Sequence, residues 1–174
     1  MDVVTIFKIT SAVFSIIIML IGFLYIKDLK KFKKYGYLGI FIISFLGSIA
    51  VFSPAAPMAA IYAGTIYNPL LVSFVSALGA ICGDAPGYGI GYGGQLIIPP
   101  SNVYDHIKYF MKINGTMTIF VLATIPNPFF DIAGIAAGAS NFPFWKFVII
   151  SFIGKWIKFT IFSLVGRSLK KQII

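Results

Sequence analysis

The stretch TIPNPFFDIAGIAAG, residues 124–138, interrupts an almost uniformly apolar chain with two prolines, an asparagine and a carboxylate. Proline removes a backbone hydrogen-bond donor and clashes with the preceding helical turn, so a helix should end at Pro126 and Pro128. The apolar arms on either side, residues 115–125 and 129–139, would each extend only about 17 Å as helices, whereas the hydrocarbon core of a bilayer is roughly 30 Å thick. The stretch therefore predicts a re-entrant hairpin, which enters a membrane and turns back before crossing it.

The composition of the whole chain is that of a membrane protein. Of its 174 residues, 59% are hydrophobic and 11% are charged, and the mean hydropathy is +0.93. This is too little polar surface to cover a soluble domain, so we expect an all-α integral membrane protein. The net charge of +9 does not indicate nucleic-acid binding, because the basic residues flank the apolar segments, where they meet lipid head groups.

The sequence predicts neither an enzyme nor a metal or cofactor site. The single cysteine, Cys82, lies within an apolar run, and the single histidine, His106, lies apart from it. One residue of each kind makes neither a disulfide nor a cysteine and histidine metal site, and no nucleophile and base stand together.

A second break precedes the first in the chain. The sequence SPAAP, with Ser53, Pro54 and Pro57, separates an apolar arm over residues 37–52 from another that ends at residue 67. We read these arms as another re-entrant hairpin. The alternative is that the prolines only kink ordinary transmembrane helices, since residues 37–52 could nearly span a membrane alone.

The remaining apolar runs are long enough to cross a bilayer. Residues 70–92 and 144–165 are predicted crossing helices, and residues 3–26 form a predicted N-terminal transmembrane helix. The polar stretch over residues 95–114 predicts an interfacial helix. We divide the chain into an N-terminal anchor with a basic loop (1–36), a core domain (37–166) and a basic tail (167–174). The positive-inside rule places the C-terminus in the cytoplasm and the N-terminus outside.

These elements follow a repeated order along the chain, although the amino-acid sequence itself shows no evident repeat. Each hairpin is followed by a crossing helix, and the two sets run in opposite directions. Interrupted hydrophobic segments at corresponding places in two halves are typical of transporters, whose binding sites lie near the middle of the membrane. The predicted fold is therefore an inverted repeat of two opposed re-entrant helical hairpins, each followed by a transmembrane helix.

Four charged residues lie inside the apolar segments, where an ionised side chain costs on the order of 3 kcal/mol. We interpret Asp131 and Lys155 as candidates to pair, either to carry function or only to fasten the hairpin to the last helix. Lys155 and Lys158 lie almost one turn apart on one face, an arrangement suited to a phosphate group. The predicted transport path contains Asp84, Tyr88, Asn127, Asp131, Lys155 and Lys158.

Glycines recur every four residues at positions 79, 83, 87 and 91, and again at 134 and 138. This spacing lets helix backbones approach closely in lipid, so we expect these glycines to lie at packing contacts.

The motif Gly83-Asp84 followed by Gly87-Tyr88-x-x-Gly91 resembles the G-D-x-x-x-Y-x-x-G-R signature of the DedA family, also called the VTT or SNARE-associated domain. The segment IPNPFFDIAGIAAGASNFPFWKF, continued by Lys155 and Lys158, is similar to the eukaryotic vacuole membrane proteins of autophagy in that family. The resemblance covers about residues 40–166. Two departures are that Tyr92 replaces the usual arginine and that SPAAP lacks the glutamate of bacterial members.

The resemblance implies a lipid translocase or scramblase that moves phospholipid or polyprenyl-phosphate head groups between leaflets. Because the glutamate is missing, passive scrambling is expected rather than proton coupling. The alternatives are a proton-coupled transporter of a small anionic solute and a structural membrane protein without transport activity. The expected location is a prokaryotic cell membrane, and the expected partner is membrane lipid.

Overall fold

A computed structural model describes residues 29–49, 55–93, 102–127 and 129–173 of the chain. The predicted N-terminal transmembrane helix and the predicted breaks at Ser53, Pro54 and Pro128 lie outside the described residues. The described residues form helices and no strand, which confirms the all-α prediction for this part of the chain. The helices are α1 (Leu29–Ile49), α2 (Ala55–Ile66), α3 (Pro69–Tyr92), α4 (Asn102–Thr124), α5 (Phe130–Ala139) and α6 (Phe144–Ile173).

Two of these helices are long and apolar enough to cross a membrane. They are the whole of α3, with 24 residues, and Phe144–Leu169 of α6, with 26 residues. At 1.5 Å per residue they measure about 36 and 39 Å, which exceeds the roughly 30 Å hydrocarbon core. The two crossing segments predicted after the hairpins are therefore helical along their expected lengths. Pro86 lies within α3, and the helix continues through it.

Three apolar helices are too short to cross. They are Tyr35–Ile49 within α1, all of α2 and all of α5. The 12 residues of α2 and the 10 residues of α5 extend about 18 and 15 Å. In the described chain these are the arms that the sequence assigns to hairpins, and α1 packs on α2 as α4 packs on α5.

The predicted break in residues 124–138 occurs where expected, because α4 ends at Thr124 and α5 begins at Phe130. The earlier break differs in its details. Pro57, which we expected at the break, lies instead in the first turn of α2. Proline is tolerated there because the backbone N–H groups of a first turn have no partner within the helix.

Two helices bend at a single residue. In α1 the residue is Gly36, whose φ of 51° suits a residue without a Cβ atom. In α4 it is Asn114, whose Oδ1 accepts a hydrogen bond from the N–H of Met117 at 3.1 Å and so caps the following segment. Residues 102–113 thus form a separate polar helical segment, as predicted, before the apolar segment 115–124. The position of that segment at a membrane surface stays a prediction.

The chain divides into two compact units. The first contains the described residues up to Gly83 together with those from Phe159 onward, and the second contains Asp84–Lys158. The first unit therefore contains α1 and α2, the second contains α4 and α5, and each contains parts of α3 and α6. The predicted partition at residues 36 and 166 is independent of this division and stays a prediction.

Glycines allow close helix packing within the first unit. A Cβ atom on Gly79 or Gly83 would collide with backbone oxygens of α1, those of Phe41 and Phe45. A Cβ atom on Gly166 of α6 would collide with the Ile61 carbonyl of α2. The packing role predicted for Gly79 and Gly83 is confirmed.

The second unit uses glycine in the same way. A Cβ atom on Gly91 of α3 would collide with the Ile135 carbonyl of α5, and one on Gly138 would collide with the Tyr88 carbonyl. Gly154 of α6 lies against Ala123 of α4. Gly87 differs, because the described residues leave open space around its Cβ position, so the packing role predicted for it is not observed.

Candidate functional site

An ion pair joins α3 to α6 inside the second unit. Asp84 Oδ2 lies 2.6 Å from Lys155 Nζ, and only 4% and 5% of the two side chains are exposed. We expected Asp131 to be the partner of Lys155, whereas the observed partner is Asp84. The cost of placing each charge in an apolar interior is offset only while the other charge is present, since an unpaired buried charge is strongly destabilising.

Neighbouring groups complete the surroundings of this pair. Lys155 Nζ lies 4.4 Å from the centroid of the Phe130 ring, so the ammonium group also has a cation–π contact with α5. Asp84 Oδ1, in contrast, has no hydrogen-bond partner among the described residues. The same is true of the buried hydroxyl of Ser151, one turn before Lys155 on α6. The site is therefore held by charge but is incompletely hydrogen-bonded.

Two further predicted charges belong to the same surroundings. Lys158 interacts electrostatically with Asp84 and Asp131, which attract its ammonium group, and with Lys155, which repels it. Asp131 occupies the first turn of α5, where a helix N-terminus stabilises negative charge. We call Asp84, Asp131, Lys155 and Lys158 the charge cluster. It contains two acidic and two basic side chains, and α3, α5 and α6 each contribute to it.

Tyr88, also predicted for the path, lies one turn after Asp84 on α3 and is buried. Its hydroxyl donates a hydrogen bond to the carbonyl of Phe142 at 2.5 Å, just before α6 begins. Its ring packs on Phe144 and Phe147, each with a centroid 5.2 Å away. Tyr88 therefore joins α3 to the start of α6, and its hydroxyl is already engaged by the backbone.

Asn127 lies in the turn between α4 and α5, and its side-chain amide is fully used there. Its Nδ2 donates to the carbonyls of Leu122 and Ile125, both at 2.8 Å. Its Oδ1 accepts from the N–H of Phe129 at 2.9 Å. These bonds satisfy backbone groups at the end of one helix and before the start of the next. The geometry gives Asn127 the role of holding the turn.

Sequence reasoning did not select Phe130 or Ser151. The spacing of Ser151 and Lys155, four residues apart on one helix face, was the available signal for the serine. No comparable pattern marks Phe130, because its contact with Lys155 crosses between helices.

The VTT domain family matches residues 53–168, which is most of the chain and includes the whole charge cluster. Vacuole membrane protein KMS1 of Arabidopsis thaliana is 44% identical over 53 residues, which is 30% of this chain and 11% of that protein. The vacuole membrane protein 1 homolog of Dictyostelium discoideum is 54% identical over 41 residues, 24% of this chain and 10% of that protein. Vacuole membrane protein 1 of Homo sapiens is 49% identical over 43 residues, which is 25% of this chain and 11% of that protein.

The matched segments thus span about a tenth of the length of these relatives. No solved structure matches the chain.

Proposed function

Because the chain belongs to the VTT domain family of membrane proteins, we propose that it moves lipid head groups between the leaflets of a bilayer. The substrate is a phospholipid or a polyprenyl phosphate. The observation that carries the proposal is the buried ion pair of Asp84 and Lys155, accompanied by Asp131 and Lys158, in helices that are otherwise apolar. Charged residues at such positions are costly, and in membrane proteins they commonly mark the path of a polar substrate.

The charge cluster offers a head group fixed charges in place of its water shell. Lys155 and Lys158 supply ammonium groups for a phosphate, and Asp84 and Asp131 supply carboxylates for a positively charged amine. Asp84 Oδ1 and the Ser151 hydroxyl are polar atoms without a protein partner among the described residues, so they add unused hydrogen-bonding capacity. The acyl chains stay in lipid, and no covalent step, cofactor or metal takes part.

We also propose that α1–α2 and α4–α5 are re-entrant hairpins of an inverted repeat. Their packing partners support this. In the first unit α1 packs on the part of α3 up to Gly83, and α2 packs on the part of α6 from Phe159 onward. In the second unit α4 packs on the part of α6 up to Lys158, and α5 packs on the part of α3 from Asp84 onward. The packing of the second unit is therefore that of the first with α4 in place of α1, α5 in place of α2, and α3 and α6 exchanged.

Individual residues follow the same exchange. The helix contact of Gly64 with Ser163 corresponds to that of Gly138 with Tyr88, and the contact of Gly166 with Ile61 corresponds to that of Gly91 with Ile135. The hydrogen bond from Ser163 Oγ to the carbonyl of Pro69, 3.0 Å, corresponds to that from Tyr88 to Phe142. Corresponding glycines, Gly64 with Gly138 and Gly91 with Gly166, are 74 or 75 residues apart in the chain.

The orientation with a cytoplasmic C-terminus and an outer N-terminus stays part of this proposal. A prokaryotic cell membrane stays a prediction too, and the relatives described above, which are eukaryotic, do not support it.

The test is a scrambling assay in reconstituted vesicles, in which dithionite bleaches fluorescent phospholipid of the outer leaflet. Without scrambling, only the outer-leaflet half of the fluorescence is bleached. Wild-type protein should add a slower second phase, in which probe from the inner leaflet reaches the outer leaflet and is bleached. Lys155→Met and Asp84→Asn should slow this second phase at least tenfold. Lys146→Met is the matched control, because Lys146 is exposed at the start of α6 and should leave the rate unchanged. Absence of scrambling by the wild type, or full activity of folded Lys155→Met protein, would contradict the proposal.

A proton-coupled transporter of a small anionic solute is the second candidate. It is favoured by Oδ1 of the buried Asp84, which has no hydrogen-bond partner in the described part of the chain and could accept a proton. Uptake driven by an imposed pH gradient and lost in Asp84→Asn would select this function, whereas scrambling should proceed at equal rates with and without the gradient. If the protein is only structural, neither assay should respond to any of these variants.

A further inference from the structure

An open apolar groove of about 690 Å³ lies between the two segments of α4, and its volume is within the range of small-molecule pockets. The polar segment, the apolar segment and the turn before α5 all contribute to its walls. Six of the apolar lining residues are Val103, Ile107, Phe110, Val121, Leu122 and Phe129. His106 and Thr118 are the polar side chains of the lining. A polar ligand would find almost no hydrogen-bond partners there, so the groove suits a hydrocarbon chain.

The helical segment that forms one wall has two different faces. Val103, Ile107 and Phe110 repeat at helical spacing and line the groove. Lys108 and Lys112 lie on the other side of the same segment, and Lys112 is exposed. An amphipathic helix of this kind lies in the plane of the membrane interface, with its apolar face toward the acyl chains and its charged face at the level of the head groups.

Charge indicates which lipid would be preferred. Within residues 102–113 two lysines stand against one aspartate, Asp105, and the chain as a whole carries +9. Basic residues at the level of the head groups attract anionic lipids. Lys108 lies over the Tyr104 ring, with Nζ 5.7 Å from the centroid, on the charged side of the segment. If the segment lies at the interface, this ammonium group is at the level of the lipid phosphates.

We propose that this groove takes one acyl chain of an anionic phospholipid whose head group lies beside Lys108 and Lys112. None of the lining residues belongs to the charge cluster, so the site is separate from the proposed path and does not depend on translocation. It would attach a lipid to the bend of α4 at Asn114.

The test uses the full chain in phosphatidylcholine vesicles that contain phosphatidylglycerol with a photoreactive diazirine in one acyl chain. After illumination, mass spectrometry should find adducts concentrated in residues 103–129. Val121→Trp fills the groove and should reduce these adducts about tenfold, because each excluded methylene loses its burial. Ile149→Trp is the matched control, since Ile149 is an exposed apolar residue of α6 outside the groove, and it should label as the wild type does.

The head-group arm compares the same probe on phosphatidylcholine. Phosphatidylglycerol should label the groove several times more strongly, and Lys108→Gln with Lys112→Gln should remove the difference, whereas Lys146→Gln should not. Equal labelling by both probes, or unchanged labelling of Val121→Trp, would overturn the proposal. So would a photoreactive residue at position 110 that joins the groove to another part of this chain or to a second copy instead of lipid.

Discussion

Lys155 has two neighbours of different kinds, the Asp84 carboxylate and the face of the Phe130 ring. Both contacts favour the charged ammonium group in a region from which water is largely excluded. The pair is formed between α3 and α6, so its loss affects both the local charge balance and the attachment of two helices.

We expect single neutral substitutions of the pair to destabilise the protein by about 3–5 kcal/mol, because each leaves one uncompensated buried charge. The double variant Asp84→Leu with Lys155→Met should recover most of that loss while scrambling stays low. Denaturation in detergent, followed by circular dichroism, measures the stability, and vesicle assays measure the transport. A double variant that recovers both would assign the pair a structural role only.

The sequence predicted all four members of the charge cluster but not the partner of Lys155. Charged residues within apolar runs can be recognised from the sequence alone, because their neighbours along the chain are all apolar. Which carboxylate meets Lys155 depends on the rotation and crossing of three helices, and no residue spacing encodes that rotation. Asn127 shows the same limit. Its position beside Pro126 indicated a break, whereas its hydrogen bonds to the turn became apparent only from the coordinates.

At the scale of elements, the short helices are held against long ones by contacts that leave no room for a side chain. The backbone of α5 at Gly138 meets that of α3 at Tyr88, and the glycine is required for this approach. Gly87, one residue before Tyr88, has no such neighbour among the described residues. We therefore expect alanine to have opposite effects on stability at these two glycines.

Gly138→Ala should destabilise the protein by about 1–3 kcal/mol, because the new methyl group must displace backbone atoms. Gly87→Ala should be neutral or stabilising by up to about 1 kcal/mol, since alanine favours helix and the space is open. Thermal unfolding of the two variants in the same detergent compares them directly. Equal losses in both variants would show that close packing at Gly138 is not what requires glycine there.

At the scale of the molecule, we propose that the described parts of the two units follow one packing scheme, with α3 and α6 exchanging roles between them. The plan was readable from the order of breaks and long runs, but the letters were not recognisable as a repeat. Counterparts 74 residues apart coincide only over a short stretch, A-x-I-x-A-G at residues 59–64 and 133–138. So short a match becomes informative only once Gly64 and Gly138 are both known to contact a long helix. The prediction that Pro57 lies at the break was wrong, because a proline is compatible with the first turn of a helix as well as with a break.

If the hairpins are opposed, their tips should be reached by water from opposite faces of the membrane. In a Cys82→Ala background, Ser53→Cys should react with an impermeant maleimide from one face only. Ile125→Cys, an exposed position just before Pro126, should react from the other face only. Reaction of both from the same face, or of neither, would favour kinked helices that cross the bilayer completely.

Pro86 follows Asp84 by two residues within a helix that continues past it. Because proline has no N–H, the carbonyl of Cys82 lacks its usual donor, and α3 has one backbone hydrogen bond fewer at this level. Flexing there would change the Asp84–Lys155 distance, because Asp84 lies only two residues before the proline. The missing hydrogen bond thus lies beside the ion pair, where the proposed lipid path would require the two charges to separate.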